Sequence, residues 1–300
     1  MSQGIYNLLS TGEVHSLANL AIGSRFTVEG NLQGAHRSPL RGFSVEFADY
    51  RQYVPGDDLR HLDWKVMARN ERLYIRQYEE ECNLRLYLML DASASMGYGG
   101  EEGMTKFRYA SRLAAALAYV TIHQQDSVGL TVFDRRTRTQ LPARSGPAHL
   151  RALANTLAEQ APAAETNVSE SLHRLAGSVH RRGLVVILSD LLDDAERIHA
   201  ALAHFRHRKH DVIVYHVMDP AELDLPFRHF SHFQDLESGE KILASPREVR
   251  GAYRKAVAGF MNQCRELCAS LDVDYVLTRT NEPLPGLVRR HLSRRQRRGR

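Results

Sequence analysis

The chain has 300 residues, 43% of them hydrophobic and 25% charged, the balance of an ordinary globular protein, so wholesale disorder is excluded and a core can be buried without disulfide staples. No apolar run approaches the ~18–20 residues of a membrane-spanning helix, because the longest, residues 184–192, is broken by Ser189 and Asp190. The net charge of +5 is concentrated at one end: the last twelve residues, RRHLSRRQRRGR, hold seven arginines, and without them the remainder carries about −2.

The N-terminus, MSQGIYNLLSTGEVHS, shows neither a basic start nor a long apolar core, and three cysteines are too few for a disulfide framework. A cytoplasmic setting is expected. The basic residues form a tail and not a folded face, which argues against a specific nucleic-acid reader. Residues 281–300 are expected as a disordered, solvated tail that could make peripheral contact with an anionic membrane surface.

Residues 1–80 read as an N-terminal α+β annex. An amphipathic stretch near 13–30 predicts a helix, and Pro55-Gly56 predicts a tight turn, since proline presets φ and glycine accepts a positive one. Asp57 or Asp58 would then cap a short helix carrying Leu62, Trp64 and Val66. Arg41, Arg51, Arg60 and Arg69 interleave with Glu46, Asp49, Asp57, Asp58 and Asp63. They suit ion pairs that pin the annex to the main body, or a docking surface.

Residues 81–280 alternate apolar runs with helical patterns. Strands are predicted at 86–90 (LYLML), 128–133, 137–141, 184–188 (LVVIL), 212–218 and 273–278, and helices at 107–123, 148–159, 168–180, 194–207 and 247–270. This rhythm predicts an α/β fold of three layers, with a doubly wound, mostly parallel sheet between helices. His199, His204, His207 and His210 are expected at the surface, and Cys264 and Cys268, four apart on one helix, in the core.

In a doubly wound sheet, ligands sit beyond the carboxyl ends of the strands, so the residues that follow each apolar run carry the chemistry. Asp91-Ala92-Ser93-Ala94-Ser95 follows the first run, Ser189-Asp190 follows LVVIL, and Glu165-Thr166-Asn167 lies in a loop that opens a helix. Two carboxylates and three hydroxyls are hard oxygen ligands, suited to Mg²⁺ or Mn²⁺ and ill suited to zinc or copper. So few charges leave coordination positions for water or for an incoming carboxylate.

Asp91-x-Ser93-x-Ser95, with Thr166 and Asp190 at 75 and 99 residues' distance, resembles the metal-ion-dependent adhesion site of von Willebrand factor A domains, which are Rossmann-like folds. The upstream block SPLRGFSVEFADYRQYVPGDDLRHLDWKVMAR is similar to the signature of the bacterial family called domain of unknown function 58. These resemblances imply a non-enzymatic protein with no catalytic residues, in which Asp91, Ser93, Ser95, Thr166 and Asp190 hold Mg²⁺ (or Mn²⁺). They also imply a MoxR-type AAA+ ATPase partner, a client protein that offers an Asp or Glu to the ion, and a chaperone-like role in client maturation. Glu165 departs from the small residue common before that threonine.

Other functions need weighing. Ser95, Asp190 and His216 follow the chain order of an α/β-hydrolase triad, but Ser93 stands where the nucleophile elbow G-x-S-x-G has its first glycine. A Mg²⁺-dependent phosphatase could use the same strand-end acids, yet the loop of Gly97, Gly99, Gly100 and Gly103 contains Glu101 and Glu102, which repel phosphate, and no P-loop is present. A scaffold that binds no metal is the third alternative.

Overall fold

The computed structural model describes residues 3–23, 46–54, 62–64, 66–67, 73–79, 84–99, 103–163, 167–237 and 239–298. A 3-10 turn (Gln3–Asn7) and helix α1 (Thr11–Leu17) come first, followed by β1 (Glu46–Gln52) and β2 (Tyr74–Glu79), which pair as an antiparallel hairpin. The main body then runs β3 (Arg85–Asp91), α2 (Lys106–His123), β4 (Ser127–Phe133), β5 (Thr137–Arg144), α3 (Pro147–Glu159), α4 (Val168–Ser178), β6 (Leu184–Ser189) and α5 (Ala195–His207). It continues with β7 (Asp211–Met218), α6 (Pro220–Asp224), β8 (Ser231–Gln234), β9 (Lys241–Ala244), α7 (Pro246–Ser270), β10 (Asp274–Arg279) and α8 (Leu284–Arg298).

The six-stranded sheet has the order β10-β7-β6-β3-β4-β5, and only β5 runs antiparallel to its neighbour. The architecture is thus α/β with a mostly parallel sheet. Strands β6 and β7 are buried along their whole length, as expected where helices cover both faces. Alternation along the strands divides the core in two. Leu86, Leu88, Leu90, Val186 and Leu188 pack with α1, α2, α3 and α8, whereas Met89, Val185, Ile187, Val212 and Val214 pack with α4, α5 and α7.

Both chain ends depart from expectation. Ile5, Leu9, Val14, Leu17 and Ile22 belong to the same apolar cluster as β3 and α2, so the first 23 residues are part of the main body and not of a separate annex. Helix α1 ends at Leu17, with Ser10 and Glu13 closing a reciprocal capping box. The basic end is also ordered through Arg298, as helix α8. Leu284, Leu287, Val288 and Leu292 recur at helical spacing and are buried against the sheet, which a solvated tail would not allow. Arg295 is buried too: it bonds Asp274 Oδ2 at 2.5 Å, Asp211 Oδ2 and the carbonyl of Gly23.

Smaller differences have local causes. Pro55, Gly56, Asp57 and Asp58 lie outside the described residues, as do Arg41, Arg60 and Arg69. A helical turn does form near Trp64, but Asp63 starts it, its Oδ1 accepting from Val66 N at 3.2 Å, and Leu62 is buried while Trp64 is exposed. The β8–β9 hairpin was not predicted, because its strands are only four residues long. Cys264 and Cys268 are buried as expected. His210, expected at the surface, is buried edge-on to Phe205 and Tyr87. Among the described residues no helix is long and apolar enough to cross a membrane.

Candidate functional site

Strands β3 and β6 are adjacent, yet β3 leads into α2 on one face and β6 into α5 on the other. Their carboxyl ends therefore flank the crevice where the winding of the sheet reverses. Asp91, the last residue of β3, lies on this crevice and is fully buried. Its Oδ1 accepts from Ser93 N at 2.9 Å and its Oδ2 from Ser189 Oγ at 2.6 Å. The turn then closes as a 3-10 segment (Ser95–Gly97), in which Ser93 Oγ and Ser95 Oγ lie 3.0 Å apart. Both hydroxyls thus face the same way.

Asp190 enters from the loop after β6 and is also fully buried. Next to it Leu191, though neither glycine nor exposed, takes a left-handed backbone with φ of 52°, a strained conformation of the kind held at functional turns. Thr166 and Glu165 lie outside the described residues. The segments on either side of them are tied to this crevice: Ala163 N bonds Ala92 O at 3.1 Å, and Ser169 N bonds Asp193 Oδ2 at 2.9 Å.

Two residues that the sequence reading did not single out complete the cluster. Lys106, the first residue of α2, is fully buried, and its Nζ bridges Asp190 Oδ2 at 2.8 Å and Glu222 Oε1 at 2.6 Å. Glu222 is held in turn: its Oε2 accepts from Asp219 N at 3.0 Å, and Asp219 Oδ2 accepts from Thr280 Oγ1 at 2.8 Å. One signal could have revealed Lys106. A lysine directly after the helix-capping Thr105 opposes the positive end of the helix dipole, so it needs carboxylates nearby.

Negative charge is in excess here. Burial, and then the charge of Asp190, push the Asp91 carboxyl up to about 7, although Ser189 and Ser93 favour its ionised form. Burial alone would lower the proton affinity of Lys106, but Asp190 and Glu222 outweigh it and hold the ammonium above the ordinary lysine value. Burial likewise raises the Glu222 carboxyl, against the pull of Lys106. His216, the register partner of Ser189, is pushed down to about 4 by burial, and its Nδ1 bonds Tyr275 Oη at 2.7 Å. No contact joins His216 to Ser95 among the described residues, so the Ser–His pair of a hydrolase is not formed there.

Two buried acids and two hydroxyls stand at the carboxyl ends of adjacent strands, a donor set that fits a hard divalent cation with an incomplete shell. Among the described residues no three His, Cys, Asp or Glu side chains form a metal-holding group, so such an ion would rely on hydroxyls, water and a ligand from outside the cluster.

Comparison with known proteins agrees with this architecture. The chain is similar to the uncharacterized protein Mb1516 of Mycobacterium bovis, with 30% identity over 227 residues that span 75% of this chain and 71% of that one. A weaker similarity, 25% over 149 residues, links it to the uncharacterized protein YeaD of Bacillus subtilis, covering 49% of this chain and 35% of that one. Among solved structures, an aerotolerance-related membrane protein from Bacteroides fragilis shares the fold with a TM-score of 0.50 at 18% identity, covering 71% of this chain and 100% of that one. The model of the family described as "Protein of unknown function DUF58" matches residues 49–262, and the chain belongs to that family.

Proposed function

We propose that this protein is a divalent-metal-dependent protein-binding module whose α/β body is of the von Willebrand factor A type. In this reading Asp91, Ser93 and Ser95 hold Mg²⁺ or Mn²⁺, Thr166 adds a hydroxyl, and Asp190 supports the ion directly or through water. The ion supplies a Lewis-acidic position that a carboxylate from another protein can complete. The observation that carries the reading is Asp91: a fully buried carboxyl beside a second buried acid, with both serines of its turn brought together. The partner is a MoxR-type AAA+ ATPase, with which the module assists the maturation of a client offering Asp or Glu.

The test is calorimetric titration of Mg²⁺ and Mn²⁺ into the protein and into Asp91→Ala, repeated with the partner ATPase present. Saturable binding that vanishes in the variant and strengthens with the ATPase supports the reading. Equal capture of the ATPase by both proteins, with no ion bound by either, sinks it.

A second reading is favoured by Lys106. Its ammonium already sits on Asp190, so a scaffold that carries its counter-cation in its own sequence would need no metal.

A further inference from the structure

We propose that Lys106 is a tethered competitor for the ion site, and that Glu222 is the acceptor that retains its ammonium when Asp190 is given up to a divalent cation. The inference rests on the metal-binding reading above and adds to it the device that sets ion affinity.

The geometry carries it in three steps. First, the lysine is anchored to the same turn as the candidate ligands. Lys106 N bonds Tyr98 O at 2.8 Å, and Gly99 forms a bridge with Thr105 so tight that a Cβ at Gly99 would lie 2.5 Å from the Thr105 Cα. The Asp91 turn and the start of α2 are therefore held together, and the side chain of Lys106 reaches from there to Asp190.

Second, the ammonium has two seats of unequal character. The Asp190 side chain is fully buried and its Oδ1 accepts only a long 3.4 Å bond from Leu192 N, so Lys106 supplies its close neutralising contact among the described residues. The Glu222 side chain is 18% exposed and is pinned by the α6 capping box. Shifting the ammonium towards Glu222 leaves it paired while freeing Asp190. A lysine suits this duty because its charge is compact and its stem flexible, whereas the rigid plane of a guanidinium fixes it across its acceptors. The chain has 35 arginines and only five lysines, and one of the five occupies this buried position.

Third, the charge balance fits. Asp91, Asp190 and Glu222 are three ionisable carboxyls around the single ammonium of Lys106, so a dication is matched by the charge they carry when all three are ionised. Removing the ammonium raises the attraction for a dication, and removing Glu222 binds the ammonium to Asp190 alone.

The test is calorimetric titration of Mg²⁺ into EDTA-stripped full-length protein, Lys106→Met and Glu222→Gln, with the thermal midpoint at each ion concentration as a second readout. Lys106→Met is expected to bind at least about tenfold more tightly and Glu222→Gln about tenfold more weakly. A merely structural role would weaken binding in both, and so would not give opposite signs. Wild-type binding with no gain in Lys106→Met overturns the inference and leaves the metal reading standing. Absence of binding in all three proteins overturns both. Should Lys106→Met fail to fold, Lys106→Gln takes its place: unchanged or weaker binding there refutes the competitor.

Discussion

Two buried charge clusters sit at opposite ends of the same sheet, and they are built differently. At the amino ends of β7 and β10, Arg295 forks onto Asp211 and Asp274 and adds the Gly23 carbonyl, so a rigid cation is spread over acceptors that match its geometry. At the carboxyl ends of β3 and β6, a single ammonium serves Asp190 and Glu222 while Asp91 is left to hydroxyl and amide donors. The first cluster is closed and ties α8 to the sheet. The second sets a carboxyl pushed up to about 7 beside a strained backbone at Leu191.

The largest expected effect falls on the closed cluster. Arg295→Met strands two carboxylates in the interior and is expected to cost about 3–5 kcal/mol in urea unfolding, with unchanged ion affinity in the folded fraction. A loss of ion binding without a loss of stability would erase the distinction between the two ends.

Asp91→Asn probes the open cluster. The folded carboxyl titrates at about 7 against an ordinary 3.8, so between those values the folded protein keeps a proton that the unfolded chain has released. Its contribution to stability therefore falls as pH rises through that window. In EDTA the variant should gain on the wild type from pH 4 to pH 8 by roughly 4 kcal/mol, read from paired denaturation curves. The difference curve matters because His216 acts in the opposite sense: lowered to about 4, it withdraws stability as pH falls below its ordinary value. Curves that stay parallel across the window would mean that Asp91 is not under electrostatic stress.

Gly99→Ala sets a side chain against the Thr105 backbone and is expected to cost about 1–3 kcal/mol, with weakened Mg²⁺ binding because the start of α2 shifts. Normal binding in that variant would uncouple the Asp91 turn from Lys106. The smallest effect is expected where the exposed Arg290 of α8 pairs with Glu282 just before the helix, and Arg290→Ala should change stability by no more than about 0.5 kcal/mol.

Much of the fold was legible because the buried strands announce themselves. LYLML and LVVIL became β3 and β6 almost residue for residue, since a strand covered on both faces must be apolar throughout. The candidate turn was legible for a related reason: D-x-S-x-S directly after such a strand has one place to go, the carboxyl edge. The basic end was misread because seven arginines mask four apolar residues spaced for a helix, and because burial of Arg295 depends on acids 21 and 84 positions away.

Local pattern thus determined the α/β rhythm, the parallel sheet and the placing of Asp91, Ser93, Ser95 and Asp190 after the carboxyl ends of β3 and β6, because period and strand ends are properties of short segments. Tertiary structure alone decided the role of Lys106 and Glu222, 116 residues apart, and the docking of α1 and α8 over α2. A buried charge is tolerated only where the fold brings its counter-charges, and no short segment records which distant residue that will be.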